Sequence, residues 1–323
     1  MSYRPIILCY HRIASIIDVD RNKLAVSPRT FRRQIEFLKK TRKFVSLSEM
    51  ILEPKANTVT ITFDDGYKDN YKIAADILTD YQIPASFFLA TRFIDYSISY
   101  YTTSFNKIWG FFQETRHLPL PISGSIIEKL LLTEDNYFSA LRRLSSLVPD
   151  QLWNASEILH SALSHIDGID DLELPLSVGE VHSLLESNLF TIGPHTATHP
   201  RMSSIPLDDA LSDFAESVAA TAGWGGSRTQ YFPYPFGQRL DFNRALESRI
   251  NTSLNFKGLS TIPMALGRGK SDPLTLPRLS VQEWDLSKFR HIVNLANAFS
   301  YAPFAAVAAL KVSAGIRSLS QSQ

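Results

Sequence analysis

The ten residues "TVTITFDDGY", Thr58 to Tyr67, change character halfway along. Up to Phe63 they are β-branched and half alternating, the pattern of a strand. Two adjacent aspartates and a glycine then stop the run. Acidic residues on the turn that leaves a strand lie where the active sites of parallel α/β folds collect. Adjacent carboxylates on a turning backbone can face one centre and do different jobs, one binding a cation and the other staying free as a base. A D-G turn closed by an Asx hydrogen bond is the plainer alternative, and the stretch alone leaves both open.

Outward from this turn, strand-like and helix-like segments alternate. "PIILCY" (5–10) is a short apolar strand. Ser27 and Pro28 open a helix in which Phe31, Ile35 and Leu38 recur at helical spacing. Ser46 with Glu49 makes a capping-box pattern for another short helix. "YKIAADILTDY" (71–81) predicts a helix and "ASFFLA" (85–90) a buried strand. From about Asp95 to Leu176 the rhythm breaks into an aromatic stretch followed by helical segments. It resumes with a Ser177–Glu180 capping box, a strand at "LFTIG" (189–193), a helix over 207–222 and a strand at "TQYFPY" (229–234). A helix over 240–249 and a strand-like "LTLPRLSV" (274–281) complete it. The pattern predicts an α/β barrel-like domain in two parts, 1–94 and 177–285. A helical insertion (95–176) interrupts it, and a helical segment with a frayed polar tail (286–323) follows.

Composition sets bounds on function. Of 323 residues, 44% are apolar and 20% charged, enough for a sizeable core. The net charge of +1 offers no electrostatic footprint for nucleic acid. A single cysteine, Cys9, excludes an intramolecular disulfide and a cysteine-based zinc site. "MSYRPIILCYHR" does not have the pattern of a signal peptide, and no apolar stretch reaches the roughly 18–20 residues that span a bilayer. The expectation is a cytoplasmic protein. The apolar segment 289–312 is a candidate for peripheral contact with the inner face of the membrane, against the more usual packing on the barrel.

Two further stretches carry chemistry. "GPHTATHP" (193–200) sets His195 and His199 four residues apart, but between prolines, which are poor company for a helix. Two histidines and a carboxylate form a common three-ligand zinc set with one position left for water. Loop histidines that merely cap backbone groups are the alternative. "YFPYPFGQ" (231–238) places prolines on both sides of Tyr234, so a main-chain N–H held there can be aimed at an oxyanion. A proline-rich turn with a core tyrosine is the competing reading. Histidines 117, 160, 165, 182 and 291 have no partner pattern near them.

The three motifs D-D-G, H-T-x-x-H and F-x-Y-P-F-G, in this order and each after a predicted strand, resemble the polysaccharide deacetylase family (NodB homology, carbohydrate esterase family 4). The resemblance runs from about residue 5 to 281 apart from the insertion, and implies a distorted (β/α) barrel of seven strands. It implies that Asp65, His195 and His199 bind a divalent metal, zinc first, with cobalt, nickel or iron also compatible. Asp64 would be the catalytic base, Thr196 would steady the histidine loop, and the N–H of Tyr234 would face the oxyanion. Many members have an arginine at the position of Pro233 that braces the base; Arg278, in "LPRLSV", is the candidate substitute. The family's late L-x-x-H motif, whose histidine is the general acid, is missing near the C-terminus. "LCYH" (8–11) has that pattern at the other end, as in rearranged members that open with a Y-H strand, so His11 is the candidate acid.

The implied reaction is de-N-acetylation of an amino sugar by metal-activated water, with Asp64 as base and His11 protonating the departing amine. The substrate would be an N-acetylated sugar, as monomer, lipid-linked intermediate or oligomer. Tyr67, Phe236 and Trp109 are the candidate sugar-contacting residues. Tyr96, Tyr100, Tyr101, Phe105 and Trp109 could together wall a sugar site or form the insertion's own small core. A metal amidohydrolase acting on a formamide or small amide, and a degenerate glycan-binding barrel, are the alternatives; Pro233 favours the second.

Overall fold

The computed structural model describes residues 3–15, 20–166, 168–225, 229–262 and 275–298. Strand β1 (Ile6–Tyr10) and the short strands β2 (Arg12–Ile13) and β3 (Ala25–Val26) precede helix α1 (Pro28–Lys39). Strand β4 (Lys43–Phe44) and α2 (Leu47–Leu52) lead into β5 (Thr58–Phe63). A π-helical turn (Asn70–Ala75) continues as α3 (Asp76–Asp80), followed by β6 (Ala85–Leu89) and α4 (Thr91–Tyr96). Then come α5 (Tyr101–Thr115), α6 (Ile126–Thr133), α7 (Tyr137–Leu144), α8 (Pro149–Leu163) and α9 (Val178–Leu185). The chain continues through β7 (Phe190–Pro194), α10 (Leu207–Gly223), β8 (Tyr231–Pro233), α11 (Arg244–Leu254) and β9 (Lys257–Leu259). It ends with β10 (Thr275–Leu276), β11 (Leu279–Ser280) and α12 (Leu286–Ala298).

The start signals act as their chemistry requires. Ser27 Oγ accepts from Thr30 N at 3.3 Å with Pro28 in the first turn of α1. Ser177 and Glu180 cap α9 reciprocally. Ser46 accepts from Glu49 N, the forward half of the expected box. The helix expected over 240–249 starts later, at Arg244, because Asn243 supplies the cap to Leu246 N.

Seven staves run parallel. Strand β1 pairs with β5 from Ile6↔Val59 to Tyr10↔Phe63, β5 with β6, and β6 with β7. Strand β8 pairs with β9, and β9 with β10. The last stave is split by Pro277 and Arg278: β10 joins β9, while β11 joins β1 through Leu8↔Leu279. Ladders therefore run from β8 round to β7, and among the described residues none joins β7 to β8. This is the distorted (β/α)7 barrel, open along one seam. Strand β5 was expected to be half alternating, yet all six of its residues are buried, because it lies inside a parallel sheet with neighbours on both edges.

Two cores result. Ile6, Leu8, Phe63 and Phe87 belong to the core beneath the sheet, while Phe105, Trp109, Tyr137, Leu141, Leu152 and Leu159 belong to a separate one inside the insertion. No helix among the described residues is long and apolar enough to cross a membrane. The C-terminal membrane-contact segment expected over 289–312 falls outside the described residues from 299 onward.

One glycine is demanded by close approach. A Cβ on Gly258 in β9 would lie 2.1 Å from Tyr234 Cε2, and that ring is stacked on Phe242 with centroids 4.6 Å apart. Gly258→Ala should therefore overpack the β8–β9 layer and cost about 1–3 kcal/mol in denaturant unfolding. A change of only a few tenths would contradict this packing.

Candidate active site

The candidate metal ligands, base and acid leave the C-terminal ends of staves, as does Phe236: His11 after β1, Asp64 and Asp65 after β5, His195 and His199 after β7, and Phe236 after β8. The backbone there is strained. Asp65, Thr196, His199 and Phe236 are non-glycine residues at φ of +73°, +66°, +59° and +63°. Such conformations cost on the order of 1–3 kcal/mol each and persist only where the surroundings over-determine them. Here they do. Asp65 O accepts from Ala90 N at 3.0 Å and from the Tyr100 hydroxyl at 2.7 Å. Thr196 Oγ1 accepts from His199 N at 3.0 Å, closing the histidine loop on itself. The buried Asp213 of α10 accepts from Ala197 N, Thr198 N and the Thr198 hydroxyl. Burial pushes the Asp213 carboxyl up to about 6 against those bonds.

Asp65 Oδ1 lies 3.4 Å from His195 Nε2 and 3.2 Å from His199 Nε2. Ligands on a tetrahedral zinc ion, with bonds of about 2.0–2.2 Å, sit about 3.3–3.5 Å apart, so the spacing matches. The protons match as well. His195 Nδ1 lies 2.8 Å from the carbonyl of Pro233 and donates to it across the open seam between β7 and β8, which leaves Nε2 as a lone pair. Burial lowers the pKa of His199, so that ring is neutral at pH 7 despite Asp65. Burial opposes the charge on Asp65; proton-bearing imidazoles, His199 first, would hold the carboxyl well below its usual range, and where both Nε2 atoms present lone pairs that positive charge has to come from a bound cation. Buried Asp65 Oδ1 has no hydrogen-bond donor. Three lone-pair donors converge, and a divalent cation satisfies all three.

Asp64 sits beside this cluster with its own partner. Arg278 Nη1 and Nη2 donate to Asp64 Oδ1 and Oδ2 at 2.7 and 2.6 Å, and the guanidinium also reaches Thr62 Oγ1 and the carbonyl of Ser260. The split in the last stave aims Arg278 inward. Burial alone would raise the Asp64 pKa; Arg278 more than offsets it and keeps the carboxylate ionised. Cys9, which sequence reasoning did not single out, donates its thiol to Asp64 Oδ2 at 3.3 Å, and burial keeps that thiol protonated. His11 is half-buried, with a ring nitrogen within 4.8 Å of both Cys9 Sγ and an Asp64 oxygen. Its carbonyl accepts from Asn70 at 2.8 Å, so the π-helical turn holds it in place.

Three expectations need correction. The N–H of Tyr234 donates to Leu259 O at 3.0 Å within the β8–β9 ladder, so it does not face an oxyanion. Two residues on, the N–H of Phe236 has no hydrogen-bond partner among the described residues. Tyr67 is fully buried: its hydroxyl meets Thr103 Oγ1 at 2.9 Å and its ring packs on Tyr100, so it joins the insertion to the barrel and touches no sugar. Trp109 is buried between Phe105 and Tyr137, and with Tyr100, Tyr101 and Phe105 it belongs to the insertion's own core, while Tyr96 stays exposed. Phe236 does stay at the site, with its ring 5.2 Å from that of His199 and beneath Arg201 at 4.2 Å. Arg201, buried and paired with Asp241, ties the histidine loop to the turn after β8. Only its place directly after "HP" hinted at it, and nothing in the helical pattern marked Asp213.

Comparison with known proteins identifies the fold and the family. The family model described as Polysaccharide deacetylase matches residues 52–118 and 162–253, leaving out the middle of the insertion. No curated protein sequence matches the chain. The fold is similar to that of IcaB from Ammonifex degensii, with a TM-score of 0.56 at 17% identity, covering 91% of this chain and 97% of that one. It is also similar to BC0361, a polysaccharide deacetylase from Bacillus cereus (TM-score 0.57, 16% identity, 90% and 69% covered). The Streptococcus pyogenes deacetylase PplD in complex with acetate is a third (TM-score 0.54, 17% identity, 87% and 94% covered). The chain belongs to the polysaccharide deacetylase family.

Removing Arg278 tests the electrostatics of Asp64. In Arg278→Met the burial of Asp64 loses its main opposition, so its pKa rises, by about 1–3 units for a lost cation at this range. A base must be deprotonated to work, so the acidic limb of kcat/KM should move to higher pH and the loss should be largest at low pH. An acidic limb that stays where it is in the wild type would contradict the pairing.

Proposed function

We propose that the protein is a metal-dependent deacetylase that hydrolyses the N-acetyl group of an amino sugar in a glycan or glycan precursor. The observation that carries this is the meeting of Asp65, His195 and His199 as lone-pair donors beside an ionised, arginine-braced Asp64, with His11 next to that carboxylate. A divalent ion on the three ligands, zinc by the donor set, would supply a Lewis acid that acidifies water and polarises a carbonyl. Asp64 is the base: it takes a proton from the attacking water while Arg278 holds both carboxylate oxygens in place. The N–H of Phe236, in the turn after β8, is the donor to the carbonyl oxygen as that oxygen gains charge. His11 gives its proton to the departing amine. An amide needs that proton more than an activated ester does, because an amine anion is a very poor leaving group.

A glycan-binding barrel without activity drew its support from Pro233, which cannot brace the base. Arg278 makes that contact from another stave, so the motive for the binding reading falls away. Release of acetate and not formate from acylated amino sugars separates the deacetylase from a deformylase.

Two variants test the assignment. His199→Ala should lose about one bound divalent ion per chain, measured by elemental analysis, and with it the activity. Retention of the ion would sink the ligand set. His11→Ala should lower hydrolysis of an N-acetylated amino sugar by about 10²–10⁴-fold while reducing aryl acetate hydrolysis much less. Equal losses on both substrates would remove His11 as the acid.

A further inference from the structure

Two consecutive tyrosines at the start of α5 reach two different metal-ligand loops. Tyr100 ends the entry segment in extended backbone and Tyr101 is the first helical residue, which sends their side chains apart. The Tyr100 hydroxyl donates to Asp65 O at 2.7 Å and lies 3.2 Å from Gly66 O. The Tyr101 hydroxyl donates to His199 O at 2.8 Å and lies 3.5 Å from His199 Nδ1. Asp65 and His199 are the two candidate ligands with left-handed backbone, and in both the carbonyl of the strained residue is what the tyrosine grips. The start of α5 is itself pinned: Ser99 meets Ser104 at 2.6 Å, and His160 of α8 accepts from Ser99 N at 3.2 Å. The rings of Tyr67 and Phe93 pack against Tyr100.

We propose that the helical insertion is a working part of the metal centre. Tyr100 and Tyr101 are positioning residues that hold Asp65 and His199 in the conformation in which their side chains converge with His195. The barrel supplies the three ligands, and the insertion supplies the hydrogen bonds that keep two of them from relaxing. Loss of the Tyr101 hydroxyl removes the donor to the His199 carbonyl, and loss of the Tyr100 hydroxyl leaves Asp65 O held by Ala90 N alone; in each case the peptide plane that sets the direction of a ligand is less constrained. This rests on the ligand assignment made above.

The test uses the full chain and zinc alone, with affinity read by competition against a chromophoric chelator. Tyr100→Phe and Tyr101→Phe keep the rings and their packing and delete only the hydroxyls. Each should weaken zinc binding by about 10–100-fold, the usual effect of losing an outer partner of a ligand. Tyr137→Phe is the control, because it deletes another hydroxyl of the insertion core, bonded to Asn22 Oδ1 at 3.1 Å, away from the ligands. It should bind zinc as the wild type does. Thermal unfolding of the metal-free proteins, recorded alongside, checks that all three variants fold. Zinc affinities within about twofold of the wild type for both Tyr100→Phe and Tyr101→Phe would overturn this inference and leave the proposed function standing. Weakening as large in Tyr137→Phe would overturn it too, as a general loosening of the insertion. A wild-type protein that binds no zinc would overturn the ligand assignment itself, and this proposal with it.

Discussion

Two adjacent carboxylates buried at the end of a central strand are the constraint around which the rest is arranged. A buried charge without a partner costs several kcal/mol, so neither Asp64 nor Asp65 can be ionised there alone. Asp64 meets that demand with Arg278, a forked donor that reaches both oxygens from the last stave. Asp65 meets it with two imidazoles whose remaining protons point elsewhere, an arrangement that a cation completes. One aspartate is therefore paired with a protein cation, and the other sits in a donor set that a foreign cation would complete. Neighbouring residues of the same type thus take different roles.

The barrel's open seam serves the same centre. Where a β7–β8 ladder would lie, the link between β7 and β8 at their C-terminal ends is the contact from His195 Nδ1 to the carbonyl of Pro233. A strand-end histidine thereby gains its orientation from the neighbouring stave. The price is backbone strain at Asp65, Thr196, His199 and Phe236. It is countered by Asp213 under the histidine loop, Arg201 between the two loops and the tyrosines of the insertion.

Most of the framework was legible in the residues. Ser27, Ser46 and Ser177 are caps whose side-chain oxygens have one obvious use, and the β-branched run at Thr58–Phe63 has one comfortable conformation. The order of the D-D-G, H-T-x-x-H and proline-rich motifs pointed to one family because each follows a strand, and strand ends of a parallel barrel share one rim. The placement of the aromatics was not legible. Tyr67 and Trp109 have the composition of sugar-stacking residues, but a buried ring and an exposed one are the same letters, and only packing separates them. Tyr234 misled for a related reason: flanking prolines fix a backbone without saying whether its N–H is already paired in a ladder.

What the sequence determined by itself was therefore local or periodic: the caps, the strands, the occurrence of a helical interruption, and the presence of the candidate ligand types in a recognisable order. What only the tertiary structure decided is which groups meet across long separations. Arg278 lies 214 residues from Asp64, and Tyr101 lies 98 from His199. Cys9 reaches Asp64 because β1 happens to be the neighbour of β5. Local propensity acts over a few residues along the chain. Charge compensation, donor pairing and ligand orientation act through space, and the fold is what turns one into the other.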